Sequence, residues 1–310
     1  MGKRSGVAEV EVWRGGVATW ECDQMGHLNV AFYVAKSMEA LAGLAGELGM
    51  QRAFAPSAEA TLVVREQHIR FLREARPGAP MTMTGGVLEM GETEARLLLL
   101  MRHPSGELAA SFQTLVAHAT AREGRAFPWP DRIRARAEAL GVEIPERAAP
   151  RSISLAPVDT EASLARAEAL GLKHTGLGVV APADCDAFGR MRTEMFMHRL
   201  SDGIPHFFSG RRPGDAEGEA KVGGAALEYR LIHHAWPQAG DRLALRSGSA
   251  GGDARFRRLV HWLLDPDTGR PWGTAEAIAV SFDLATRKII SLDQEELARV
   301  EADAVPGLGL

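Results

Sequence analysis

The stretch Cys22-Asp23-Gln24-Met25-Gly26-His27 decides the fold, because it returns as Cys185-Asp186-Ala187-Phe188-Gly189-Arg190 in the second half of the chain. Cys, Asp and Gly hold the same places in both copies, 163 residues apart (Cys22 to Cys185) in a chain of 310 residues. These are the only two cysteines, and an acidic residue, Glu21 or Asp184, precedes each of them. The shared register indicates an internal duplication, with an acidic turn ahead of a helix-like run in each copy.

The pattern of apolar residues predicts the same order of elements in both halves. The first half is expected to hold a strand within 8–20, a helix over 29–49 that ends at Gly49, and strands over 60–73, 80–90, 94–103 and 107–119. The second half is expected to hold a strand over 177–183, a helix over about 192–208, and strands over 222–234, 241–250, 255–265 and 272–282. Each half therefore reads β–α–β–β–β–β, an α+β unit whose long helix can be buried only if the antiparallel sheet curls around it.

Domain boundaries follow from this order. We expect a first domain over 1–123, a connector with short helices over 124–176, a second domain over 177–290, and a C-terminal helix and tail over 291–310. The connector is rich in Pro and Arg and contains the sequence RAEALG twice. The two domains are expected to form a pseudo-twofold pair within one chain, with their sheets joined edge to edge.

Composition narrows the class of protein. A hydrophobic fraction of 45% and a charged fraction of 25% are typical of a globular protein, and the length suits two domains of ordinary size. The net charge of −4 and the absence of a long basic run argue against a nucleic-acid partner. No apolar run is long enough to span a bilayer, so no membrane partner is expected. Two cysteines make no disulfide framework, which favours the cytoplasm, and a homo-oligomer is compatible with the sequence.

The first acidic turn resembles that of a known family. The segment Glu21 to Asn29, followed by Tyr33, is similar to the hot-dog-fold thioesterases of the 4-hydroxybenzoyl-CoA thioesterase type, in which an Asp-x-x-Gly turn often continues as Gly-His-x-Asn. The second turn, Asp184 to Met191, looks like the same feature with changed residues after its glycine. The resemblance implies a tandem, or double, hot-dog protein that hydrolyses an acyl-CoA thioester to a carboxylic acid and a free thiol.

The resemblance also assigns roles to the residues of the first turn. Asp23 matches the position of the family's nucleophile or general base. Thioester hydrolysis also needs donors for the developing oxyanion, and the amide groups of Gly26 to Leu28, at the positive end of the helix, are expected to supply them. His27 and Asn29 complete the predicted catalytic set, while Leu28, Tyr33 and Glu39 are candidates for substrate binding, with Glu39 also a reserve carboxylate.

Structural roles compete with these interpretations. Asp23 could be the N-cap of the helix, since Asp is favoured there, and the cap and catalytic roles can coexist. His27 could be a hydrogen-bonded structural histidine, and Asn29 could close the turn through its side chain. Cys22 and Cys185 are interpreted as small buried hydrophobic residues rather than nucleophiles.

The second turn is predicted to be an altered site. Asp186 and Gly189 match their counterparts, but Arg190 and Arg192 stand where the first copy has His27 and Asn29. Two cationic side chains beside Asp186 should hold it as a paired carboxylate, less free to attack a thioester, and could also hold an acidic group of a ligand.

Two rival functions remain open from the sequence. The chain could hydrolyse thioesters of acyl carrier protein, or it could be a non-catalytic acyl-CoA-binding protein. No HxxxH or CxxC spacing and no nucleotide-binding motif appears, so no metal and no organic cofactor is expected, with the coenzyme A thioester entering as substrate.

Overall fold

The computed structural model describes residues 9–209, 222–286 and 288–310. The chain divides into two compact units. The first comprises Met1–Pro150 with Asp186–Glu194, and the second comprises Arg151–Cys185 with Met195–Leu310. No helix among the described residues is long and apolar enough to cross a membrane.

The first unit packs one long helix against an antiparallel sheet of five strands in the order β1-β3-β4-β5-β2. Its elements in chain order are β1 (Val10–Gly16), α1 (Val30–Glu47), β2 (Ala60–Phe71), β3 (Pro80–Met90), β4 (Glu94–Arg102), β5 (Leu108–Thr120) and α2 (Asp131–Ala139). The helix α1 lies against β1, β3 and β4 and buries Leu41 and Leu44 completely. Gly49, in the left-handed conformation at φ +88°, follows the last turn of α1, as the sequence predicted.

The second unit repeats this arrangement with the strand order β6-β8-β9-β10-β7. Its elements are α3 (Leu164–Ala169), β6 (Lys173–Val179), α4 (Thr193–Phe207), β7 (Val222–His233), β8 (Arg242–Gly252), β9 (Arg257–Leu264), β10 (Pro271–Asp283) and α5 (Gln294–Ala302). The predicted β–α–β–β–β–β order is therefore confirmed in both halves. Short helices, α2 and α3, also lie between residues 124 and 176, and α5 lies near the C-terminal end.

One predicted strand is misplaced. The strand expected over 177–183 lies at Lys173–Val179 instead, and a short 3₁₀ turn, Pro182–Asp184, follows it. Pro182 has no backbone N–H to donate to a strand ladder and starts this turn. The first half has the same design, with a 3₁₀ turn at Thr19–Glu21 after β1.

A glycine lets each central helix approach its sheet. A Cβ atom on Gly43 of α1 would lie 2.2 Å from the carbonyl oxygen of Val12 in β1. A Cβ atom on Gly203 of α4 would lie 2.5 Å from a terminal methyl of Leu245 in β8. Gly43 is needed because a backbone atom of the sheet occupies the space that a larger residue would fill, whereas at Gly203 the nearest atom belongs to a flexible side chain.

Candidate active site

The first acidic turn, defined here as Asp23–Asn29, lies between the 3₁₀ turn and α1. The Asp23 amide donates to the carbonyl oxygen of His27 at 2.8 Å, and the Gly26 amide donates to the carbonyl oxygen of Asp23 at 3.0 Å. Gly26 has a φ of +74°, a conformation that side chains other than glycine rarely adopt. The glycine of the motif is thus required by the turn itself.

The Asp23 carboxylate holds this turn closed through one of its two oxygens. Asp23 Oδ1 accepts hydrogen bonds from the amides of Met25 at 2.8 Å and His27 at 3.1 Å. No hydrogen bond reaches Asp23 Oδ2 from any residue that the structure describes. One oxygen is therefore structural, and the other is available to a substrate or a water molecule.

The competing interpretation of Asp23 as the cap of α1 is wrong, because Asn29 caps the helix. Asn29 has an extended backbone, and its Oδ1 accepts the amide of Ala31 at 2.9 Å. The Asn29 amide donates to the carbonyl oxygen of Glu21 at 2.9 Å. Asn29 therefore joins the acidic turn to the helix through its side chain and its backbone.

The amides expected to form the oxyanion site are all engaged within the fold. The Gly26 amide donates to Asp23 O, the His27 amide to Asp23 Oδ1, and the Leu28 amide to Ala75 O at 2.8 Å. The amide of Val30, the first residue of α1, has no acceptor among the described residues. The free donor at this helix N-terminus thus lies two residues beyond Leu28.

His27 and Tyr33 bind the segment that leads into β3. The His27 side chain is buried, and its Nε2 lies 3.0 Å from Glu74 Oε2, within ion-pair distance but without hydrogen-bond geometry. The Tyr33 hydroxyl accepts the amide of Ala75 at 3.2 Å, and burial raises the pKa of this phenol far above its usual range. Both side chains support the turn, and nothing in the sequence identifies Glu74 or Ala75 as their partners.

The reserve carboxylate, Glu39, lies on an exposed part of α1. Its Oε2 accepts the indole N–H of Trp13 at 2.7 Å. An ion pair in the first unit joins Lys36 Nζ to Glu21 Oε1 at 2.7 Å, and both side chains are largely buried. Its counterpart in the second unit joins Arg199 to Asp184 at 3.1 Å. Sequence reasoning missed these two ion pairs, although opposite charges at matched positions in both copies were a signal for them.

Both cysteines are only partly buried, so their interpretation as buried hydrophobic residues is wrong, and the Cys22 thiol is a weak nucleophile. Each thiol donates to the carbonyl oxygen four residues earlier, Cys22 to Ala18 at 3.5 Å and Cys185 to Ala181 at 3.6 Å. Burial, followed by the neighbouring charges of Asp23 and Glu21, raises the pKa of the Cys22 thiol. A raised pKa disfavours the thiolate, which is the nucleophilic form.

The second acidic turn, defined here as Asp186–Arg192, has the backbone of the first. Asp186 Oδ1 accepts the amides of Phe188 at 2.8 Å and Arg190 at 3.0 Å, and Gly189 has a φ of +85°. The difference is at the other oxygen, because Arg190 Nε lies 3.3 Å from Asp186 Oδ2. Arg190 thus pairs with Asp186 as expected, whereas the charged group of Arg192 lies 3.0 Å from Glu194.

Comparison with known families matches both halves of the chain. The model of the thioesterase-like superfamily matches residues 17–137 and again 180–300. The two matches begin 163 residues apart (17 to 180), which is also the offset of the two acidic turns. Fold and family together define the class of this protein as a thioester hydrolase. The chain belongs to the thioesterase-like superfamily.

Solved structures share the tandem architecture. The chain is similar to a proposed oleoyl thioesterase from Lactobacillus plantarum, with 12% identity, a TM-score of 0.66, and coverage of 92% of this chain and 98% of that one. It is similar to the 12:0-ACP thioesterase from Umbellularia californica, with 13% identity, a TM-score of 0.64, and coverage of 86% and 92%. An acyl-ACP thioesterase from Bacteroides thetaiotaomicron gives 10% identity, a TM-score of 0.63, and coverage of 86% and 96%. A search of curated proteins gives no match.

At such low identities these likenesses concern the fold alone. They confirm the prediction of an α+β tandem hot-dog fold, in which each unit packs a long helix on an antiparallel sheet. The roles of individual residues depend on the geometry of the two turns.

Proposed function

We propose that this protein is an acyl-CoA thioesterase of the 4-hydroxybenzoyl-CoA thioesterase type, working at the first acidic turn. The difference between the two aspartates carries the proposal. Asp23 Oδ2 has no partner among the described residues, whereas Asp186 Oδ2 is held by Arg190. A carboxylate oxygen must be free of a cation to attack a carbon or to take a proton efficiently.

The reaction needs only one oxygen of Asp23. As a nucleophile, Oδ2 would attack the acyl carbon, the C–S bond would break, and water would hydrolyse the resulting anhydride. As a general base, Oδ2 would take a proton from the water that attacks the same carbon. In both routes Oδ1 keeps its two amide donors, so the turn holds its shape while Oδ2 reacts.

We assign oxyanion stabilisation to the Val30 amide. It is the free N–H at the start of α1, and the partial positive charge of that helix end favours a developing oxyanion. Gly26, His27 and Leu28 serve instead by fixing the turn that carries Asp23, and Asn29 fixes the start of the helix. In this proposal they are positioning residues.

Thioesters of acyl carrier protein are the second candidate substrates. Two structures with a similar fold, from Umbellularia californica and Bacteroides thetaiotaomicron, are named as acyl-ACP thioesterases. The test is a panel in which each acyl chain is presented on coenzyme A and on acyl carrier protein, with the Asp23→Asn variant as the background. The proposal predicts higher kcat/KM on coenzyme A for at least one chain. Uniformly higher values on the carrier protein would move the assignment to the second candidate.

We further propose that hydrolysis requires no metal or organic cofactor and takes place in the cytoplasm. Both cysteines are free, which suits a reducing compartment. Activity should survive dialysis against a chelator. Loss of activity that a divalent ion restores would contradict the first part of this proposal.

A further inference from the structure

The second unit contains a buried chain of polar side chains at positions where the first unit has apolar residues. Thr175 Oγ1 lies 2.8 Å from Ser247 Oγ, which lies 2.8 Å from His261 Nδ1. All three side chains are buried. We call these residues the polar chain; no step of the proposed hydrolysis uses it. Polar groups that are buried without hydrogen-bond partners destabilise a fold. A buried polar chain at positions that are apolar in the first unit is therefore a candidate for a functional role.

The first unit has apolar residues at the matched positions. In the strand pairing, Ser247 lies opposite His261 just as Gly85 lies opposite Leu99 in the first unit. Thr175 sits at a bulge of β6, and Val12 sits at the matching bulge of β1. A Cβ atom on Gly85 would meet the side chains of Leu99 and Leu44, so this part of the first unit is filled by hydrocarbon.

In the second unit the polar chain borders a cavity of about 990 Å³, a size that holds small ligands. Ser247 lies on its wall. Much of the remaining wall is apolar, with contributions from Leu172, Phe207, Phe208, Leu259, Leu292 and Val300. The cavity lies wholly within the second unit, near the C-terminal end of α4.

Two cations that the first unit lacks face this cavity. Arg257 occupies the position of Ala95, because each residue pairs with the last residue of the preceding strand. Lys173 occupies the position of Val10, because it pairs with Ser247 as Val10 pairs with Gly85. Lys173 Nζ donates to the carbonyl oxygen of Phe207 at 2.9 Å. The Arg257 guanidinium lies over the Phe208 ring, 6.0 Å from its centroid. Arg257 forms no hydrogen bond or ion pair with any residue that the structure describes, and its Nε is buried.

Three acidic residues on the cavity wall have side-chain partners on their own helix. Asp293 and Glu296 form the capping box at the start of α5. Glu295 pairs with Arg299. Asp303, the C-cap of the same helix, is joined to it through its backbone N–H. None of these acidic residues pairs with Arg257 among the residues that the structure describes.

We propose that this cavity binds a carboxylate with a hydrocarbon body, and that Arg257 pairs with the carboxylate. The apolar wall would bury the hydrocarbon, and the hydroxyl of Ser247, positioned by Thr175 and His261, would add a hydrogen bond. This site is separate in residues from the first acidic turn, so binding does not require hydrolysis. The first unit, with Ala95 and Val10 at the matched positions, offers no such pair of cations.

The test is calorimetric titration of the full chain with dodecanoate, below its micelle concentration, and with dodecanol as the uncharged probe. Wild type and Asp23→Asn should bind dodecanoate equally, which separates this site from the proposed active site. Arg257→Met should weaken dodecanoate about 10- to 100-fold, the effect of losing a charge-assisted hydrogen bond, and should leave dodecanol unchanged. Arg257→Lys should recover part of the loss.

A matched control is Arg242→Met, which removes an exposed arginine of the same unit that pairs with Asp267. This variant should bind dodecanoate like the wild type. The double variant Ser247→Gly, His261→Leu installs the residues of the first unit and should weaken binding less than Arg257→Met. Unchanged binding by folded Arg257→Met, equal losses in Arg242→Met, no binding by wild type, or loss of binding in Asp23→Asn would overturn the proposal.

Discussion

The two acidic turns share a backbone and differ at one carboxylate oxygen. In both turns the Asp Oδ1 accepts two amides, of Met25 and His27 or of Phe188 and Arg190, and a left-handed glycine closes the loop. Arg190 then occupies the second oxygen of Asp186. After the duplication, the hydrogen bonds that build the turn stayed the same, while the chemistry of the aspartate could change through a single neighbouring residue.

The interiors of the two units diverge in the same manner. Around Gly85 the first unit is filled by the side chains of Leu44 and Leu99, whereas the matched region of the second unit places the polar chain and two cations beside a cavity. The first unit thus holds Asp23, the aspartate without a paired cation, and the second unit holds the cavity. We therefore expect variants at matched positions of the two units to have unequal effects.

The largest of these effects should come from Val30→Pro. Proline removes the one N–H that we assign to the oxyanion, and proline is well tolerated as the first residue of a helix. The extended backbone of Asn29, at φ −66° and ψ 144°, is what the residue before a proline requires. We expect kcat to fall about 10²- to 10³-fold with little change in thermal stability.

The control for this experiment is Val30→Ala, which shortens the side chain and keeps the N–H. It should retain most of the activity. Equal activity in the proline and alanine variants would show that another donor stabilises the oxyanion.

The next effect concerns the pH dependence of stability. Complete burial lowers the pKa of His261 to about 4, from an ordinary value near 6.5. Between these pH values His261 is protonated in the unfolded chain but neutral in the folded chain. The free energy of unfolding therefore falls as the pH drops from about 6.5 to about 4. The loss reaches about 3 kcal/mol at the acidic end.

His261→Leu, which copies Leu99 of the first unit, should flatten this dependence. The measurement is urea unfolding at pH 4.5 and pH 7 for both proteins. Burial also lowers the pKa of His118 and His234, so some slope should remain. An unchanged difference between the two pH values would mean that His261 does not carry the effect.

The smallest effect compares the two helix glycines. Gly43→Ala would place a methyl group 2.2 Å from a backbone oxygen of β1, which cannot move alone, and should destabilise by about 1–3 kcal/mol. Gly203→Ala meets a flexible leucine methyl at 2.5 Å and should cost less. The gain in helix propensity, about 0.5–1 kcal/mol, offsets part of both costs.

Gly46→Ala is the control on the same helix, because nothing lies within 4 Å of its added Cβ atom. It should stabilise the protein slightly in thermal unfolding. If Gly43→Ala were as stable as Gly46→Ala, the close approach of α1 to β1 would be wrong.

Much of the fold could be predicted because the duplication gives two independent patterns for one architecture. Strand β6 was misplaced, since apolar residues continue past Val179 and only the turn at Pro182 ends the strand. The sequence pointed to Asp23 and to the pairing of Asp186 with Arg190. It could not show that the amides of Gly26 to Leu28 are engaged, because their acceptors include Ala75, nearly fifty residues away.

The polar chain is another set of long-range contacts that the sequence does not predict. The sequence places His261 in the strand predicted over 255–265, but its link to Ser247 and Thr175 depends on strand register and a bulge. Period-two patterns tell which residues share a face but not which residue lies opposite. Long-range register therefore separates the part of the site that the sequence predicts from the part that needs the structure.

We propose that hydrolysis occurs at Asp23 because its second carboxylate oxygen has no partner among the described residues. The direct measurement is steady-state hydrolysis of one acyl-CoA by Asp23→Asn and Asp186→Asn, after circular dichroism has shown both to be folded. We predict that Asp23→Asn lowers kcat at least about 10²-fold and that Asp186→Asn costs far less, with its larger effect on thermal stability. Near-wild-type turnover by folded Asp23→Asn, together with an inactive Asp186→Asn, would contradict the account and move the working site to the second turn.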